Sequence, residues 1–262
     1  MSSISLGKTS AYPQNYNPKL LEPIPRRNYQ SVIPHFKQQA FGIDHWRAYE
    51  FSCLLNSKTP ISAILDITYP CHSEFIVESK SLKYYLNSFF NKTFSSLDTA
   101  IKTIQTDLEN CLNCPVLISE YNNDSVKNET HYTNLDILKI NKELDIKEIV
   151  STPNKHVNQC FQTHHFRSLC PVTGQPDWAS IFINYEGKEI EPISLYNYLI
   201  SFRQHQGFHE QCVEWIFSHI LHFLSPQSLT VRAQFTRRGG IEINPIRSTH
   251  NVEMPFYRTQ RQ

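Results

Sequence analysis

ESKSLKYYLNSF (Glu78–Phe89) and EPISLYNYLISF (Glu191–Phe202) align without a gap, sharing Glu, Ser-Leu, Tyr-Leu and Ser-Phe at matched places. Two amphipathic helices share some of this by chance, so the surroundings decide. Beyond the match, Phe94 falls near Phe208 and Cys114-Pro115 near Ser225-Pro226. Strand signals precede each copy, and a second helical pattern and a strand signal come after it. An internal repeat of this kind predicts two tandem ββαα-ββ modules, placed at residues 1–155 and 156–262. Matched positions carry different polar groups, so the copies have room to divide their roles.

The elements follow from periodicity. ISAILDITY (Ile61–Tyr69) is the clearest β-branched run, and VLISEY, SIFINYE (Ser180–Glu186) and SLTVRAQF (Ser228–Phe235) read as further strands. Helices are predicted over Ser81–Phe90, over Leu97–Cys111, where Leu97, Ile101, Ile104 and Leu108 recur at helical spacing, and over Leu195–Phe202 and His209–Leu224. The first ~35 residues, rich in Pro, Asn and Tyr, read as an ordered arm. Asn122–Gln159 is polar, punctuated by NND, KNET and STPNK, and reads as a linker region containing a hairpin.

Composition narrows the function classes. A 262-residue chain with 40% hydrophobic and 12% aromatic residues has enough apolar side chain for a real core. Lys and Arg total 25 against 24 Asp and Glu, a balance that gives no support for nucleic-acid binding. No apolar run approaches the ~20 residues that span a bilayer, and the N-terminus has no signal-peptide pattern. Seven cysteines at irregular spacing suit a reducing compartment. The expectation is a soluble, cytoplasmic protein.

Four segments carry candidate chemistry. In FRSLCPVTGQPDW (Phe166–Trp178), Cys170 sits in a turn-rich loop, and a modest fall in thiol pKa makes a cysteine a nucleophile at neutral pH. Arg167, His164 and His165 are nearby groups that could lower it, and Asp177 lies within reach if the loop folds back. In QHQGFHEQ (Gln204–Gln211), His209 and Glu210 stand at a helix start where side chains can face a cleft. His205 and His209 also have the i, i+4 spacing of metal ligands, with no third ligand evident. VESKS (Val77–Ser81) offers a carboxylate for a nucleobase edge, or backbone N–H groups and Lys80 for a phosphate; an ordinary helix cap accounts for it equally well. TRRGGIEINP (Thr236–Pro245) sets two arginines beside two glycines after a strand, suiting a phosphate that approaches the backbone or a plain basic turn.

Some classes are excluded. No GxGxxG and no GxxxxGK[ST] occurs in a chain with seven glycines, which argues against Rossmann and P-loop sites. Cys111-x2-Cys114 has no second pair, so a zinc site there is not expected.

Together the segments resemble the NADPH-dependent 7-cyano-7-deazaguanine reductases of queuosine biosynthesis, the QueF family, in its long two-module form. The likeness runs through LGKTSAYPQNYNPKLLEPIPR, ESKSLKYYLNSF, LCPVTGQPDW, FRQHQGFHEQCVE and TRRGGIEINPIRS. It implies an α+β chain of two tunnelling-fold (T-fold) modules, antiparallel sheets with helices packed on one face. It further implies Cys170 as a nucleophile forming a covalent thioimide and Asp177 as the general acid. Val77, Glu78, Ser79, His209 and Glu210 would bind substrate, and Ser79, Lys80, Arg238 and Gly239 would contact NADPH. A homodimer is implied, and no catalytic metal. The rivals are a metal-dependent cyclohydrolase of the kind that shares the T-fold, a cysteine hydrolase consuming no NADPH, and a non-catalytic nucleobase-binding module.

Overall fold

The computed structural model describes residues 13–36, 41–121, 130–140, 149–251, 258–259 and 261–262. After one turn of 3-10 helix (Pro18–Leu20), the chain forms β1 (Pro23–Pro25) and the short α1 (Arg27–Gln30). Next come β2 (Phe41–Leu55), β3 (Pro60–Pro70), β4 (Phe75–Val77), α2 (Ser79–Asn87), β5 (Thr93–Phe94), α3 (Leu97–Leu112), β6 (Leu117–Glu120) and β7 (Thr133–Asn134). The chain continues through β8 (Ser151–Leu169), β9 (Pro176–Ile190), α4 (Pro192–Ile200), a 3-10 turn (Ser201–Gln204), α5 (His209–Leu224), β10 (Ser228–Phe235) and β11 (Ile241–Ser248).

The helices of the two aligned segments match in length and position. α2 and α4 each have nine residues and coincide under the gapless alignment, with Glu78 and Glu191 in matched N-cap positions. α3 and α5 each have sixteen, and each ends on a left-handed residue, Asn113 and Ser225. α3 forms for local reasons: the Ser96 hydroxyl accepts the Thr99 N–H at its start. Ala100, Ile104, Leu108 and Leu112 then bury one face at four-residue spacing.

The long hairpins β2–β3 and β8–β9 lie in one nine-stranded sheet, ordered β6-β3-β2-β11-β10-β9-β8-β7, with β5 beside β2. Its pairings are antiparallel except at the two-residue strands β5 and β7. The register explains the layering. Trp46 opposes Ile243, and Val231 opposes both Arg247 and Ile183, so these side chains share one face. The helices pack there over two apolar clusters, one around Trp46, Leu65, Leu82 and Ile104, the other around Ile181, Leu195, Ile216 and Val231. Trp215 of α5 touches both. The alternating residues His45, Arg47, Arg232, Gln234, Glu242 and Asn244 form a polar opposite face and are buried.

Two expectations need correction. The linker was expected to run to Gln159, but β8 begins at Ser151 and continues to Leu169 against β9. Pairing with the β-branched, aromatic β9 makes strand of a polar stretch whose own sequence gives no strand signal. Of the rest of that linker, residues 122–129 and 141–148 lie outside the described residues, and with them the expected hairpin. IEINPIRS, assigned no strand of its own and read only as the tail of a basic turn, is β11, the strand that joins the two hairpins into one sheet. Among the described residues no helix is long and apolar enough to cross a membrane.

Candidate active site

The turn between β8 and β9 presents Cys170. Ser168 pairs with Asp177 and Leu169 with Pro176, so the segment expected as one loop is a hairpin end. Within it the Cys170 N–H donates to the Gln175 carbonyl and the Gly174 N–H to the Cys170 carbonyl, each at 2.9 Å. Gly174 sits at φ +67°, a conformation that costs glycine little. Leu169 is bonded on its outer side to the chain entering α5: its N–H donates to the His205 carbonyl at 2.8 Å, and the Gly207 N–H donates to the Leu169 carbonyl at 3.0 Å. That clamp delivers the first residues of α5 to the hairpin end.

Asp177 is the meeting point. Its Oδ1 accepts Arg238 Nη1 at 2.7 Å, and its Oδ2 lies 3.3 Å from His209 Nε2. The carboxylate is 6% exposed. The His209 ring stacks on Phe235, centroids 3.8 Å apart, which fixes its plane. Burial pushes the Cys170 thiol up, but hydrogen bonds from the Thr173 hydroxyl and backbone, from Arg238 and from the Val172 backbone outweigh it and set Cys170 below the ordinary thiol value. The groups expected to do this are engaged elsewhere. His164 Nδ1 pairs with the Ser180 hydroxyl at 2.7 Å, His165 Nδ1 with the Tyr196 hydroxyl at 2.8 Å, and Arg167 donates to the Arg203 carbonyl.

Glu210 follows His209 and is buried, with Oε1 accepting no hydrogen bond. Burial, and then the Asp44 charge, push its carboxyl up to about 8. A buried carboxylate oxygen without a donor costs free energy that a ligand bringing N–H groups would recover. The His205–His209 spacing has no ligand geometry behind it. His205 precedes α5 and packs its ring against Trp215 and Phe202. Among the described residues no group of three or more His, Cys, Asp or Glu could hold a metal ion.

The first-module residues make contacts of their own. Val77 is in the core, and Glu78 caps α2, its oxygens accepting Lys80 N–H at 3.0 Å and Ser81 N–H at 2.6 Å. The Ser79 hydroxyl donates to Glu78 at 3.4 Å, and the Lys80 ammonium lies 5.6 Å from the Tyr84 ring centroid. Among the described residues no hydrogen bond or ion pair joins Val77–Lys80 to Cys170, Asp177, His209 or Glu210. The α2 start does meet the basic turn, through a residue sequence reasoning missed. Lys83, one turn beyond Ser79, donates to the Gly239 carbonyl at 2.6 Å and pairs with Glu50 at 3.2 Å. Its place in the motif was the available signal. Gly239 has φ +62°, and an added Cβ would come 3.2 Å from the Lys83 side chain. A bare backbone beside Arg237, Arg238 and Lys83 fits a phosphate-bearing cofactor such as NADPH. A separate cavity of about 1000 Å³ is lined by Tyr198, Phe202, His205, Trp215 and His219, and none of the site residues lines it. That cavity brings together no acid, thiol or cation pair, so the chemistry places the site at the hairpin end instead.

Residues 12–119 match the family model described as nitrile reductase, 7-cyano-7-deazaguanine-reductase N-term, and residues 176–254 match that of QueF-like protein. The NADPH-dependent 7-cyano-7-deazaguanine reductase of Legionella pneumophila (strain Corby) is 43% identical over 255 residues, 93% of this chain and 89% of its own. Its namesake in Desulfotalea psychrophila is 40% identical, covering 100% of this chain and 98% of its own. A solved chain, the archaeosine synthase QueF-Like in the apo form, has a TM-score of 0.33 at 14% identity over 39% of this chain and 100% of its own, too distant to carry an argument. By the length and closeness of these matches, the chain belongs to the 7-cyano-7-deazaguanine reductase family of nitrile reductases.

Proposed function

We propose that the chain reduces 7-cyano-7-deazaguanine to 7-aminomethyl-7-deazaguanine at the expense of two NADPH, in queuosine biosynthesis. A nitrile carbon is a poor hydride acceptor. The Cys170 thiolate adds to it, forming a C–S bond, while Asp177 gives the nitrogen a proton; the product is a thioimide. NADPH, when bound, supplies the two hydrides of this four-electron reduction. After the first, the C–S bond breaks, the pair returns to sulfur, and an imine remains; with the second hydride at carbon, the nitrogen takes a second proton, from solvent by way of Asp177, to give the amine. Arg238 supports both partners, stabilising the leaving thiolate and orienting Asp177. His209 holds the other Asp177 oxygen. The carrying observation is that the β8–β9 hairpin end that presents Cys170 also holds Asp177, paired with Ser168 and bound to Arg238 at 2.7 Å.

Recognition falls to Glu210, whose unpartnered oxygen suits the ring N–H and exocyclic amine of the deazaguanine edge, with Val77, Glu78, Ser79 and His209 completing the pocket. Ser79, Lys80, Arg238 and Gly239 hold NADPH. In this reading the chain consists of two T-fold modules, residues 1–155 and 156–262, works as a cytoplasmic homodimer, and uses no metal and no nucleic acid. The test is consumption of reduced nicotinamide by the purified protein with 7-cyano-7-deazaguanine, the product identified by mass. Two NADPH per aminomethyl product are expected. Nitrile hydrolysis without NADPH consumption would overturn the reading.

A further inference from the structure

We propose that Arg26, on the N-terminal arm, is a positioning residue that sets the two substrate-recognition segments, Val77–Ser79 and His209–Glu210, at a fixed spacing. The inference rests on the recognition roles proposed above. Arg26 is 2% exposed, although it lies in a short peripheral segment between β1 and α1. Its guanidinium divides among four elements. One nitrogen donates to Asp44 of β2 and, at 2.9 Å, to the Ser73 hydroxyl. Another reaches Glu214 of α5 at 3.4 Å and the Tyr29 hydroxyl at 3.0 Å. Arg247 of β11 closes the ring, donating to Asp44 at 2.8 Å and to Glu214 at 2.7 Å.

The ring joins the two recognition segments. Glu214 lies one turn along α5 from Glu210, on the same buried helix. Ser73 passes the link on: its hydroxyl donates to the Phe75 carbonyl at 2.7 Å, at the start of β4. The Arg26 N–H donates to the Glu74 carbonyl at 3.0 Å, β1 pairs with β4 from Pro23–Val77 to Pro25–Phe75, and the Glu78 N–H donates to the Glu22 carbonyl at 2.9 Å. Arg26 therefore grips the strand that leads into Val77–Glu78 and the helix that begins with His209–Glu210. Only arginine has a planar fork with enough donors to serve Asp44, Glu214, Ser73 and Tyr29 at once; lysine keeps the charge and loses the fork.

Arg26→Lys tests this with the full-length protein. The KM for 7-cyano-7-deazaguanine should rise roughly tenfold or more, as expected for losing charge-assisted hydrogen bonds. The kcat at saturating substrate should stay within about threefold, because Cys170, Asp177 and Arg238 are held by β8, β9 and the β10–β11 turn. A folded variant with unchanged substrate KM would overturn the proposal. So would a fall in kcat as large as the rise in substrate KM, the mark of a merely structural role. Should Arg26→Lys not fold, Glu214→Gln must show the same split, and its absence there counts against the link equally. Glu210→Gln separates the two layers. If it leaves substrate KM unchanged, the recognition reading itself fails; if it raises KM while Arg26→Lys does not, only the positioning link fails.

Discussion

Replacing Glu210 by Gln should stabilise the ligand-free protein, increasingly as pH rises. The Glu210 side chain is buried, and burial together with the Asp44 charge raises its carboxyl from the ordinary 4.5 to about 8. A carboxyl with a raised folded-state value binds its proton more tightly folded than unfolded. Its contribution is therefore fully present below about 4.5 and is lost as pH climbs through about 8. Gln mimics the protonated form and loses nothing. The difference in folding free energy between Glu210→Gln and the parent should be within ~1 kcal/mol at pH 5 and grow to about 5 kcal/mol above pH 8, at 1.36 kcal/mol per pH unit. Urea unfolding of both proteins across this range, without ligand, measures it. A flat difference would refute the claim that Glu210 is a buried, uncompensated carboxylate. A loss of substrate affinity in the same variant would show why a destabilising residue is kept there.

Three further outcomes are expected at the site. Asp177→Asn should lower kcat by 10²-fold or more while substrate binding holds, as expected for removing a proton donor; turnover at the parent rate would remove Asp177 as the acid. Arg238→Met takes away a hydrogen bond that holds the Cys170 thiol down, so the pH profile for its alkylation by iodoacetamide should move upward and the KM for NADPH should rise; an unmoved profile would mean that Thr173 and Val172 suffice. Gly240→Ala should destabilise by about 1–3 kcal/mol in thermal unfolding, since Gly240 has φ +78° and a Cβ would lie 2.5 Å from the Glu50 carboxyl carbon.

Much of this was legible in local sequence. The helix repeat was, because Glu78–Phe89 and Glu191–Phe202 carry the same apolar spacing, and that spacing is set by the helix itself. The nearness of Cys170 to Asp177 was, because the turn residues between them fold the chain back, as the end of the β8–β9 hairpin. The rest depends on distant partners. β8 is polar and becomes strand through β9; β11 hides behind a basic turn and a proline. His164, His165 and Arg167 are close to Cys170 in sequence, but alternation and a break in register near Thr163–Phe166 send them to other partners. Thr173 within the turn itself, and then Arg238, remote in sequence on the β10–β11 turn, take the role expected of them. The Arg26–Asp44–Glu214–Arg247 ring draws on four remote segments, and no local pattern signals it. Glu78 illustrates the opposite case: its sequence context allowed either a helix cap or a base-reading carboxylate, and in the ligand-free chain it is a cap.

Covalent capture of the nitrile by the Cys170 sulfur is the central claim. Intact-mass measurement of the protein mixed with 7-cyano-7-deazaguanine and no NADPH should show one substrate mass added in full, since thioimide formation expels nothing. Peptide mapping should place it on Cys170, and Cys170→Ala should show no addition and no NADPH consumption. An adduct on another residue, or reductase turnover by Cys170→Ala, would contradict it.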